Sequence, residues 1–157
     1  MTVERSRRYS DEVVPYAELD APVVRLCRAI NALPGLATIG SCGGHPGPDA
    51  FLPEDEWTVV IKLDLVDSAP TSDGWISLEF LGWVIHDFGR AGKRVQLAAG
   101  AAPPYLNGPG TVLSFAIDGW RGDAGGVEPD ELAKFLERVT EDLFVPAAQL
   151  DEFYRDE

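Results

Sequence analysis

The stretch WTVVIKLDL at residues 57–65 alternates between two kinds of side chain, and this alternation limits the folds open to the chain. In an extended strand, one face would carry the apolar members, Trp57, Val59, Ile61, Leu63 and Leu65. The other face would carry the polar members, Thr58, Lys62 and Asp64. Strands of fully parallel sheets are covered on both faces and read as continuous apolar runs. The alternation therefore predicts a half-buried strand in a mixed or mostly antiparallel sheet.

Three further segments have the patterns of helices that would cover such a sheet. Residues 20–34 begin at Asp20, the predicted N-cap, and their apolar helical face consists of Val23, Leu26, Cys27, Ile30 and Leu33. Residues 72–91 are apolar almost all round, apart from a narrow polar stripe that includes His86. Such a helix is covered by a sheet or by a second subunit, which leaves a homodimer open. A last helix begins near residue 129, where acidic side chains favour a helix N-terminus.

Short strands are also predicted, at residues 36–41, 93–99 and 111–118. Together with the helices, they predict an α+β fold with two layers, in which helices cover a mixed or mostly antiparallel sheet. The chain length suits one domain, so we expect residues 1–157 to form a single unit. We expect loosely ordered tails at residues 1–10 and 146–157.

The composition excludes several function classes. Hydrophobic residues make up 45% of the chain, and the net charge is −13. Because nucleic-acid binding depends on Lys and Arg near phosphates, we expect no nucleic-acid partner. The apolar runs are too short to span a bilayer, and no apolar segment typical of a secretory signal follows the arginines near the N-terminus. We therefore expect a cytoplasmic protein with no membrane partner, in which the two cysteines form no disulfide scaffold.

The strand predicted at residues 36–41 leads into a glycine-rich loop that is the first candidate for a functional site. The loop contains Ser41, Cys42, Gly43, Gly44 and His45. Adjacent glycines allow positive φ angles and bring backbone N–H groups to the surface, where they can bind an anion or a carboxylate. Cys42 supplies a thiol and His45 a base or a hydrogen-bond donor. The alternative is a tight turn in which Cys42 and His45 have no functional role.

Two kinds of chemistry are compatible with the pair Cys42 and His45. Their spacing is that of metal ligands, but zinc usually takes at least three protein ligands. The rest of the chain offers Cys27, His86 and carboxylates, from which the sequence does not select a third, so we assign no metal site. A Cys–His pair is also the core of a nucleophilic site, with His45 or His86 as the base. No third residue that would orient such a base can be identified, and catalytic residues are therefore not assigned.

A second candidate region is the run Trp120-Arg121-Gly122-Asp123. Arg121 lies beside a glycine and would bind a phosphate or a carboxylate, and Trp120 would stack on a ring. The alternative is an ordinary surface loop. We include Trp120, Arg121 and the strand residue Trp57 with the loop at residues 41–45 as predicted ligand-binding residues.

The run from Asp20 to Pro46 resembles the tRNA wybutosine-synthesizing protein 3 family. In that family, a helix with a similar Ile-Asn and a following Gly leads into a strand and a Ser-Ser-Cys-Ser-Gly-Arg signature. Here Ile30 and Asn31 precede Gly35, and the strand ends in a loop whose Ser41, Cys42 and Gly44 match the signature. His45 stands where the family has arginine, and Gly40 and Gly43 stand where it has serines. A strand led by tryptophan follows in both, and the later elements are similar in order only.

The resemblance implies a fold of that family's type. It also implies an S-adenosylmethionine-dependent methyltransferase that modifies a guanosine in tRNA, with a basic groove built from several of Lys62, Lys93, Arg94 and Arg121. Without the signature arginine, and with the net charge of −13, the fold carries over more readily than the reaction.

Three functions follow from these observations. The first is the binding of a small polar ligand, such as a nucleotide or a methyl donor, at residues 41–45. The second is methyl transfer from S-adenosylmethionine, which is the cofactor that the resemblance suggests. The third is a non-catalytic interaction or oligomerisation module, based on the apolar segment 72–91 and the acidic surface.

Overall fold

A computed structural model describes residues 16–63, 73–99, 114–146 and 149. The predicted tails at residues 1–10 and 146–157 lie outside these ranges, apart from residues 146 and 149. Residues 111–113 of the strand predicted at 111–118 also lie outside them, as do Asp64 and Leu65.

The described residues form an α+β arrangement, as the sequence predicts. The helices are α1 (Ala21–Asn31), α2 (Asp73–Arg90) and α3 (Pro129–Leu143), preceded by a 3₁₀ turn at Tyr16–Glu18. The strands are β1 (Leu36–Cys42), β2 (Glu56–Leu63), β3 (Val95–Ala99) and β4 (Ser114–Trp120). They form one sheet in the order β1-β2-β4-β3, and every neighbouring pair is antiparallel. None of these helices combines the length and the apolar composition that a membrane crossing requires.

The alternation along β2 decides which face of the sheet carries the core. Trp57, Val59, Ile61 and Leu63 are each at most 1% exposed and pack with the buried faces of the helices. Each such side chain contributes about 1.5–3 kcal/mol through burial. Lys62 on the other face is also only 1% exposed, so the polar face of this strand is not a solvent face at that position.

Within the described part of the chain, the buried residues of helix α2 lie mainly on one side, although its sequence is apolar almost all round. Its buried residues are Gly74, Ser77, Leu81, Val84, Ile85 and Phe88. Trp75 and Trp83 are 37% and 48% exposed. The start of α2 approaches the turn after α1 closely, because Ser77 Oγ donates a 2.6 Å hydrogen bond to the carbonyl of Pro34.

Asn31, the last residue of α1, attaches that helix to β1. Its side-chain carbonyl accepts a hydrogen bond from the Thr38 N–H at 2.8 Å, and its amide donates to Thr38 Oγ1 at 2.9 Å. The same amide donates to the Tyr16 hydroxyl at 2.8 Å. These bonds fix the position of β1 relative to α1. They thereby also position Cys42, at the far end of β1, near the N-terminus of α1.

Candidate functional site

A β-bulge in β1 determines how the predicted site residues are presented. Thr38 pairs with Ile61, but Gly40 pairs with Val60, so the register shifts by one residue between them. After the shift, Ser41 lies opposite the core residue Val59. Residues opposite each other on paired strands share a face, and Ser41 therefore lies on the core side of the sheet. Cys42 ends the strand opposite Thr58 and is 6% exposed.

Several backbone groups of the glycine-rich loop form hydrogen bonds with other parts of the protein. The Gly43 N–H donates to Asp20 Oδ2 at 2.8 Å, and the Gly43 carbonyl accepts a 2.7 Å hydrogen bond from Arg121 Nη1. The His45 N–H donates to the Leu52 carbonyl at 3.1 Å. A ligand at this loop would therefore meet side chains rather than the N–H groups of Gly43 and His45.

Asp20 occupies the N-cap position of α1, as predicted, but its side chain makes no capping hydrogen bond. Instead Oδ2 accepts from Gly43 and lies 2.8 Å from His45 Nε2. The hydrogen bond from Gly43 is the main reason that the pKa of Asp20 is lowered from its ordinary value; partial burial opposes the shift, and His45 adds to it. Asp20 is therefore a carboxylate at neutral pH, aimed at the loop rather than at its own helix.

Asp20 also orients His45. The His45 side chain is 51% exposed, and its Nε2 faces the Asp20 carboxylate. In this arrangement Nε2 is the ring nitrogen that contacts Asp20, and Nδ1 lies on the other side of the ring. A carboxylate that holds one imidazole nitrogen is the usual means of fixing the tautomer and the ring orientation of a functional histidine.

Arg121 joins the loop to two other segments. Its Nη1 donates to the carbonyls of Gly43 and Glu54, at 2.7 and 3.0 Å, and its Nε donates to Glu128 Oε2 at 2.8 Å. Its backbone N–H donates to the Asp55 carbonyl at 2.6 Å. The side chain is only 18% exposed. Arg121 therefore holds the loop after β1, the turn before β2 and the start of α3 together.

Gly44 is required where these segments meet. Its φ is +83°, a conformation that side chains disfavour. A Cβ at this position would overlap the Glu56 carbonyl oxygen and would lie 2.8 Å from the Pro53 carbonyl oxygen. The glycine that matches the sequence signature thus allows a close approach of two backbone segments.

These contacts border an open cleft of about 580 Å³. Its lining consists of His45, Pro46, Gly47, Pro53, Glu54, Asp55 and Arg121. Two of these residues carry basic groups and two carry exposed carboxylates. The volume is within the range of pockets that hold small molecules, about 300–1,000 Å³.

The structure brings together some of the predicted residues and separates others. Cys42, His45 and Arg121 meet around the loop, whereas Trp57 is 1% exposed and donates its indole N–H to the Val127 carbonyl at 2.8 Å. Trp120 is the last residue of β4 rather than part of a loop. Its indole N–H lies 3.3 Å from Glu56 Oε1, and the Arg94 guanidinium lies over its ring.

Asp20 is the site residue that sequence reasoning missed. The pattern of residues 20–34 identified it as an N-cap, and nothing in that pattern indicated a contact with a loop that begins more than 20 residues later. His86, the other histidine considered as a partner for Cys42, instead lines a separate groove of about 420 Å³ between α2 and β3.

Comparisons of the chain with protein-family models, with curated proteins and with solved structures found no match. The resemblance of residues 20–46 to the wybutosine-synthesizing protein 3 family therefore stays a prediction.

Proposed function

We propose that this protein binds a small molecule carrying both positive and negative charge in the cleft beside His45 and Arg121. The observation that supports it is one cleft of about 580 Å³ whose lining residues include two basic ones, His45 and Arg121, and two exposed acidic ones, Glu54 and Asp55. The basic side chains are held by protein contacts before any ligand arrives, so little ordering is needed on binding.

The lining suggests which chemical groups the ligand carries. An imidazole and a guanidinium favour a carboxylate or a phosphate. The carboxylates of Glu54 and Asp55 favour a cationic group on the same molecule. S-adenosylmethionine has a carboxylate, an ammonium and a sulfonium, and it is also the ligand that the family resemblance suggests. It is therefore the first ligand to test.

The test is a calorimetric titration of the full chain with S-adenosylmethionine. It is run with and without added zinc, because Cys42 and His45 have the spacing of metal ligands. We expect saturable binding that His45→Ala weakens about 10–100-fold, the usual effect of losing one hydrogen bond to a charged group. His86→Ala is the matched control, because His86 is exposed and lines a different groove, and it should bind like the unmodified chain. S-adenosylhomocysteine, which lacks the sulfonium charge, should bind several-fold more weakly. An absence of binding at millimolar ligand in both conditions would refute the proposal.

We do not extend the proposal to RNA methylation. A tRNA substrate needs a positive surface near the cleft, and the sequence offers Lys62, Lys93, Arg94 and Arg121 for it. Lys62 is buried, and each of the other three lies within 4.0 Å of a carboxylate. Lys62, Lys93 and Arg94 therefore provide little unpaired positive charge for a phosphate backbone. Arg121 is also paired, with Glu128, and by itself it can contact one anionic group but not the several phosphates of a tRNA.

Self-association is a second candidate function, and the exposed tryptophans of α2 favour it. Trp75 and Trp83 lie eight residues apart, on one side of the helix, and large aromatic side chains are enriched at interfaces between proteins. If this face pairs with a second copy, sedimentation velocity should show a dimer that becomes a monomer in Trp83→Glu. A chain that sediments as a monomer at every concentration would contradict this alternative.

A further inference from the structure

Asp20, Cys42 and His45 come from three different parts of the chain and meet at one point. Asp20 precedes α1, Cys42 ends β1, and His45 lies in the loop that follows. Each offers one ligand atom, and these atoms all lie within 4.8 Å of one another. Among the residues that the structure describes, this is the one group of three such side chains close enough to hold a metal ion.

The chemical types of the three atoms narrow the choice of ion. A thiolate, an imidazole and a carboxylate are the ligands that zinc takes in proteins. Magnesium and calcium prefer oxygen ligands alone, and a site with sulfur and nitrogen therefore disfavours them. Zinc at its usual bond lengths places neighbouring ligand atoms of a tetrahedron about 3.3–3.8 Å apart. In the structure the Asp20 and His45 atoms lie 2.8 Å apart and all three ligand atoms lie within 4.8 Å of one another, so shifts of about 1 Å would bring them to the tetrahedral spacing.

We propose that Asp20, Cys42 and His45 bind a single zinc ion. The three residues supply three of the four positions of a tetrahedral site, and water or a bound ligand takes the fourth, as in zinc sites that have three protein ligands. On binding, the Cys42 thiol proton is released to solvent. The His45 proton moves from Nε2 to Nδ1, so that Nε2 can bind the metal in place of its hydrogen bond to Asp20.

A contact outside the cluster supports this assignment. The Gly43 N–H holds Asp20 Oδ2 at 2.8 Å and fixes the orientation of that carboxylate. Groups that orient ligands in this way are a usual part of metal sites. The other cysteine, Cys27, is 0% exposed, and burial raises the pKa of its thiol to about 11. It is therefore a suitable control for the contribution of Cys42.

The experiment uses the reduced full chain after treatment with a chelator, and no other ligand is present. Cobalt(II) is added first, because a cysteine thiolate bound to cobalt gives a charge-transfer absorption in the near ultraviolet. We expect the band to saturate at one cobalt per chain and to disappear when zinc is added. Cys42→Ala should abolish the band, and Cys27→Ala should retain it.

Zinc affinity is then measured by competition with a chromophoric chelator. Loss of a residue that only orients a ligand costs about 10–100-fold in affinity, so the loss of a ligand itself in His45→Ala should exceed about 100-fold. His86→Ala should bind zinc like the unmodified chain. Asp20→Asn retains an oxygen that can accept from Gly43, and we expect it to weaken zinc binding at least about tenfold.

The outcomes separate a metal site from a hydrogen-bonded turn. No cobalt band in the unmodified chain, or a band that survives in Cys42→Ala, overturns the proposal. Circular dichroism of the metal-free variants shows whether each one folds, and Cys42→Ser replaces Cys42→Ala if the latter does not. Because S-adenosylmethionine is absent, failure here leaves the proposed ligand binding standing, and failure of the ligand titration leaves the zinc site standing.

Discussion

Trp57→Ala should lower the free energy of unfolding by about 3–5 kcal/mol, the range found when a buried tryptophan is replaced by alanine. The indole is 1% exposed, and its N–H donates to the Val127 carbonyl at 2.8 Å. Gly119, opposite Trp57 on β4, leaves no room for a side chain, because a Cβ there would overlap the indole ring. The variant therefore loses burial, leaves a cavity and removes the partner of a carbonyl. Urea denaturation followed by circular dichroism measures the change.

The same substitution at Trp83 is the matched control. Trp83 is 48% exposed and contacts the Phe80 ring at a centroid distance of 6.1 Å, so its loss should cost less than about 1 kcal/mol. This pair of variants also decides between two roles for Trp57, which the sequence groups with the ligand-binding residues. If Trp57→Ala keeps the stability of the unmodified chain and loses only S-adenosylmethionine binding, Trp57 is a ligand residue and not a core residue.

Gly44→Ala should destabilise the protein by about 2–5 kcal/mol and should abolish binding in the cleft. Its φ of +83° accounts for about 1–2 kcal/mol of this, because a Cβ is disfavoured in that conformation. The remainder comes from the overlap of the new methyl group with the Glu56 carbonyl oxygen, an overpacking that typically costs about 1–3 kcal/mol. Relief of the overlap would separate the loop from the turn before β2 and displace His45.

Gly92→Ala isolates the steric part of this effect. Gly92 has a φ of +84°, nearly that of Gly44, but a Cβ there would have no neighbour within 4 Å. It should therefore show only the conformational cost, and Gly44→Ala should be less stable by about 1–3 kcal/mol. Equal losses of stability in the two variants would mean that the packing around Gly44 is looser than the structure indicates.

The sequence predicts the elements of this fold well because each element carries its own period. The apolar face of residues 20–34 corresponds to α1, and the alternation of residues 57–65 corresponds to β2. The expected α+β class, with a mixed or mostly antiparallel sheet, is confirmed in the described residues, whose four strands are all antiparallel. The predicted boundaries of the elements are less accurate. The glycines around Trp120 predict a loop there, but β4 continues to Trp120.

The candidate site is predicted only in part. Cys42 and His45 stand out in the sequence because glycines flank them, and Arg121 stands out beside Gly122. Arg121 contacts Gly43, which lies 78 positions earlier in the chain. Nothing in the residues around either position predicts this contact. The residues around Asp20 do predict a role for it, but the wrong one. A carboxylate before a helix usually caps that helix, whereas the Asp20 side chain makes no capping hydrogen bond.

The sequence by itself determined the periodic elements, the apolar core face of β2 and the two short segments where polar side chains and glycines concentrate. These depend on interactions between residues close together in the chain, and the residue pattern therefore contains them. Only the tertiary structure decided that Asp20 turns away from its helix toward His45, that a bulge places Ser41 on the core side, and that Trp57 belongs to the core. Each of these outcomes depends on which segments lie side by side, and packing between distant parts of the chain determines that.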